Sequence, residues 1–126
     1  MIQRLLSTLL FTLVFFSLTA ANIDLQTARQ AADGFLKTLN TANTNRELLS
    51  SSDFTISQNG KPVYYVFNLQ PSGFVLVSAH EAAPPILGYS FENNYLSESQ
   101  PENFSLWMKG YAEMISYLND NNITST

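Results

Sequence analysis

Apolar positions in this chain recur at a period near 3.6 towards each end and near two in between. After Asp24, the residues Leu25, Ala28, Ala32, Phe35, Leu36 and Leu39 trace one stripe, which predicts a helix capped by Asp24. Gly34 costs such a helix about 1 kcal/mol against Ala and so points to close packing there. Residues 40–53 are rich in Asn, Thr and Ser and read as a loop with a short turn at 46–49. Alternation then takes over. Phe54–Ser57 leads into Asn59-Gly60, a strong hairpin signal. Val63 to Leu69 follows, with Val63, Tyr65, Phe67 and Leu69 on one face and Tyr64, Val66 and Asn68 on the other. Gln70-Pro71-Ser72-Gly73 is a turn, and Phe74 to Ala79 is an apolar strand of a sheet interior. Pro84-Pro85 precedes Ile86–Ser90, an edge strand. Residues 91–102 form a loop. A closing helix runs from about Phe104 to Asn119, with Phe104, Trp107, Tyr111, Met114, Ile115 and Leu118 as its stripe. The expected fold is α+β: an antiparallel four-stranded meander with an N-terminal and a C-terminal helix packed against it, both on one face.

The first residues have a different pattern. Met1-Ile2-Gln3-Arg4 carries one positive charge, Leu5 to Leu18 carries none, and Thr19-Ala20-Ala21 is small. Residues 1–21 are therefore expected to be a secretory signal peptide, with no cysteine for a lipid anchor, and 22–126 a single domain that is periplasmic or secreted. Cysteine is absent throughout, which excludes disulfides, thiolate metal sites and a cysteine nucleophile. Beyond residue 21 there are five Lys and Arg (Arg29, Lys37, Arg46, Lys61, Lys109) against ten Asp and Glu, a net charge of −5. The missing basic stripe argues against nucleic acid, and against membrane once the signal is removed, as a partner.

Catalytic chemistry finds no purchase. His80 is the one histidine, expected in an exposed turn. No serine has a nucleophile signature and no glycine loop suits a phosphate. Neither a metal nor a cofactor is expected, and the chain reads as a non-enzyme. Aromatics are the other notable feature. Two helices on one sheet face cannot bury Tyr64, Phe91 and Tyr95 as well, so some should face a protein partner.

The stretch Ser72-Gly73-Phe74-Val75-Leu76-Val77-Ser78-Ala79, followed by Pro85-Ile86-Leu87-Gly88-Tyr89-Ser90, resembles the propeptide of streptopain-type cysteine proteases and the free-standing Spi inhibitors that share its fold. The likeness extends over about residues 24–118. It includes the Tyr-Val-Phe-Asn strand at 65–68 and the pair Trp107 and Tyr111. It implies a proteinaceous inhibitor that covers the active-site cleft of a streptopain-like cysteine protease in trans, monomeric when free. In that family an asparagine at the start of the last helix enters the active site. The matching residue is Asn103, in Glu102-Asn103-Phe104, which also suits an ordinary helix cap. The implied protease-binding set is Asn103, Phe104, Glu102, Phe91, Tyr95 and Tyr89. A folding assistant for a protease, or an exported adhesion module that kept the fold, fits the same residues.

Overall fold

The structure, a computed structural model, describes residues 21–39 and 45–125. All but the last residue of the expected signal peptide, and residues 40–44 of the expected loop, lie outside that range. Helix α1 (Leu25–Leu39) starts where the Asp24 carboxylate accepts a 2.7 Å hydrogen bond from the Thr27 N–H. That bond holds the Asp24 carboxyl below its usual pKa. Ala28, Ala32 and Leu36 are its buried positions. Gly34, by contrast, faces open space with nothing near a would-be Cβ, so the close packing expected there is absent. Without that contact only the propensity penalty remains. Gly34→Ala should raise stability by about 0.5–1 kcal/mol, read as a higher denaturant midpoint at unchanged slope.

Four strands follow, β1 (Glu47–Gln58), β2 (Lys61–Gln70), β3 (Phe74–Ser78) and β4 (Ile86–Ser90), then helix α2 (Glu102–Asp120). The sheet order is β1-β2-β3-β4 with antiparallel neighbours, the expected meander. Asn59 and Gly60 have φ values of 55° and 77°, the left-handed pair that a tight hairpin requires. Strand β1 begins seven residues before the expected Phe54, because β2 is long enough to pair as far back as Glu47 with Gln70. The intervening Ser-rich stretch is irregular between Leu48 and Asp53. Arg29 of α1 ties it down, bonding the Asp53 carboxylate at 2.8 and 3.0 Å and the Leu49 carbonyl at 3.0 Å.

The two helices cover opposite faces of the sheet, not one. Ala28, Ala32 and Leu36 of α1 pack on Tyr65, Phe67, Leu69, Val75, Val77 and Ala79. Met108 and Ile115 of α2 pack on Tyr64, Val66, Leu76, Leu87 and Tyr95. Alternate residues of β2 and β3 thus feed two separate cores, as their run of apolar residues requires once both faces are covered. Val63 joins the second core and not the first. The register shift between Ile56 and Ser57 moves it out of phase with Tyr65. Burial of Tyr64 and Tyr95, unexpected from the sequence, follows from this double coverage. Burial and the neighbouring Tyr95 hydroxyl push the Tyr64 hydroxyl pKa upward.

His80 is also buried, 1% exposed, and not on an exposed turn. Residues 21–24 run across it: Ile23 N–H donates to the Ala79 carbonyl at 2.9 Å and Glu81 N–H to Ala21 at 3.0 Å. Its Nδ1 accepts the Ala82 N–H at 3.0 Å, so the imidazole serves as an internal turn cap.

Candidate functional site

Strand β4 is a sheet edge, and the chain leaves it at Ser90 to cross the end of the sheet before entering α2. This crossing is held at three points. Ser72 Oγ donates to the Phe91 carbonyl at 2.8 Å, Asn94 Oδ1 accepts the Gly73 N–H at 3.0 Å, and Asn68 Oδ1 accepts the Tyr95 N–H at 3.1 Å. Arg46 adds a fourth contact, its guanidinium 5.2 Å from the Phe91 ring centre and bonded to the Ser72 carbonyl and hydroxyl. Gly73 makes the close approach possible. Its φ is +111°, and a Cβ there would lie 2.3 Å from the Ser90 carbonyl oxygen.

Between β4, this crossing and the start of α2 lies a cleft of about 650 Å³. Phe74, Leu76, Leu96, Pro101, Phe104 and Trp107 give it an apolar lining, with Asn93, Asn94 and Gln100 among its polar groups. Phe104 is anchored edge-on against Phe74 at 5.9 Å and against Tyr95 at 6.2 Å. Trp107 lies over Gly88, where an added Cβ would come 2.9 Å from the indole Cη2. Any larger residue would push the ring outward. Segment 86–107 holds three exposed carboxylates, Glu92, Glu98 and Glu102, and no Lys, Arg or His. The arrangement is an apolar cleft whose walls are preformed by hydrogen bonds, with these glutamates in the chain segments around it.

The sequence-derived set divides over this region. Glu102, Asn103 and Phe104 stand together at the head of α2. Tyr89 borders the cleft with its strand, but its ring packs edge-on against Phe35 at 5.1 Å and tilted against Phe91 at 5.3 Å, on the α1 side of the sheet. Phe91 packs against the α1 core. Tyr95 is buried among Phe54, Phe74 and Phe104, so it fixes the crossing from inside and offers little surface. Asn103 is not the cap. Pro101 holds that position, the helix has no side-chain cap, and Asn103 sits within the first turn. It is exposed, with no side-chain hydrogen bond among the described residues.

Two residues of the cleft escaped the sequence reading. Helical spacing alone puts Trp107 on the core stripe, yet it is 48% exposed, and Leu96 is 60% exposed. The α2 stripe that is buried runs through Met108, Ile115, Ser116 and Asn119, turned by about one residue from the aromatic stripe expected. Gly88, the break in an apolar strand, was the available signal for Trp107. No group of three His, Cys, Asp or Glu among the described residues could hold a metal ion.

Residues 20–115 match the Spi protease inhibitor family. The chain belongs to that family. It is therefore a protease-inhibitor or propeptide-like domain and not an enzyme. Similar stretches occur in the thiol protease/hemagglutinin PrtT of Porphyromonas gingivalis, 30% identical over 67 residues, and in streptopain of Streptococcus pyogenes, 39% identical over 51. These alignments cover 52% and 40% of this chain but only 8% and 13% of the relatives. No solved structure matches.

Proposed function

We propose that this Spi-family domain inhibits a streptopain-like cysteine protease in trans, by covering its active-site cleft. The observation that carries the reading is the head of α2. An exposed, unbonded Asn103 stands beside an apolar cleft whose walls are already fixed. A side chain with no internal partner is free to bond a protease, and a rigid surface loses little entropy on docking. Phe104, Trp107 and Leu96 supply apolar contact, and Glu102 adds a charge at the rim. The site of action is outside the cytoplasm, where the apolar stretch 5–18 would direct the chain.

Titrating a streptopain-like protease from the same organism with the purified protein tests this. Activity should fall stoichiometrically while the added chain stays intact on a gel. Rapid cleavage of the chain with full protease activity would sink the proposal. Asn103→Ala should weaken inhibition by about 1 kcal/mol or more, a common scale for an interface contact. Because Asn103 is not the cap, the melting temperature should move little.

A further inference from the structure

Helix α2 has two apolar stripes, and only one is covered. The buried stripe faces the sheet. Opposite it, Asn103, Leu106, Trp107, Gly110, Met114 and Tyr117 follow one another at i, i+3, i+4, i+7, i+11 and i+14, a single line along the helix. Four of them are large and open to solvent: Leu106 is 61% exposed, Trp107 48%, Met114 39% and Tyr117 60%. Contiguous exposure of this kind marks an interaction surface. Gly110 sits at the middle of the line, and nothing lies within 4 Å of the Cβ it lacks. The fold does not require glycine there, and glycine in an exposed helix is destabilising against alanine. Gly34 is the contrast, since of its neighbours three and four positions away Gln30, Lys37 and Thr38 are polar and Ala31 is small.

We propose that this outer face of α2, notched at Gly110, is a docking surface for the target protease, continuous with the cleft at the head of the helix. The inference rests on the inhibitor reading. Trp107 belongs to both surfaces, so a partner large enough to close the cleft runs onto the first two turns of α2. Charge gives the partner's character. Glu102, Glu113 and Asp120 stand on one flank of the stripe, and Lys109 is already within 4.0 Å of Glu113. The complementary surface is apolar at its centre and cationic along one side, with a main-chain ridge that seats against the Gly110 backbone.

Gly110→Leu fills the notch, and its Cβ meets nothing within 4 Å. It should raise the melting temperature and weaken inhibition at least tenfold, with Gly34→Ala as a control that leaves inhibition unchanged. Inhibition is measured with the active protease, and binding with the same protease carrying Ser for its nucleophilic cysteine. Wild-type inhibition that Gly110→Leu leaves intact overturns the docking face and spares the inhibitor reading. Binding without inhibition, weakened by Gly110→Leu, refutes the inhibitor reading and keeps the face. No binding at all refutes both. A free protein that sediments as a dimer, and as a monomer once Gly110→Leu is introduced, assigns the face to a second copy of the chain and overturns its assignment to the protease.

Discussion

Replacing Gly73 by Ala is expected to cost the protein about 3 kcal/mol or more, a large share of the stability of a small domain. Two causes act together. A φ of +111° lies in a region that side-chain-bearing residues rarely adopt, and the new methyl would lie 2.3 Å from the Ser90 carbonyl oxygen and 3.0 Å from the Phe91 Cα. Both obstacles are backbone, so no side chain can rotate aside. Relief requires the crossing after β4 to move away, which breaks the Gly73 to Asn94 bond and the Ser72 to Phe91 bond with it. Denaturant unfolding should show a midpoint far below wild type. An unfolding free energy within about 0.5 kcal/mol of wild type would show that the crossing is held elsewhere.

Trp107→Ala should be the most damaging single change to inhibition, weakening it by about 2 kcal/mol, roughly thirty-fold. The indole is half exposed, yet it is fixed from beneath by Gly88 and from the sides by Phe104 at 6.2 Å and Tyr111 at 5.3 Å. An aromatic ring held in one place presents a large area at low entropic cost, the property that recurs in interface hot spots. The loss should exceed that of Asn103→Ala, since more surface is removed. An inhibition curve superimposable on wild type would exclude Trp107 from the contact.

Much of the architecture was readable from periodicity and turn chemistry. Asn59-Gly60 marked the hairpin, Asp24 the start of α1, and the prolines at 84 and 85 the entry to an edge strand. The two-sided coverage was harder to see. Tyr64-Tyr65-Val66-Phe67 has no polar alternation, and such a run specifies burial on both faces without saying which helix lies on which. His80 shows the same limit. A histidine beside Glu81 looks exposed until residues 21–24 are laid across it, and that pairing is remote in sequence. At the cleft, the head of α2 was legible through Glu102-Asn103-Phe104. Trp107 was not, because an aromatic at helical spacing looks the same whether it faces the sheet or rides on a glycine at the rim.

The three ties on the crossing after β4 have a consequence for how selectivity can diversify. All of them fall at Phe91, Asn94 and Tyr95, and their partners belong to β2 and the turn before β3. Leu96 to Gln100 lie beyond the last tie and bond among themselves, the Gln100 amide donating to the Leu96 carbonyl. If the chain inhibits a protease as proposed, that pentapeptide is where selectivity would be rewritten, while the clamps upstream keep the frame in register.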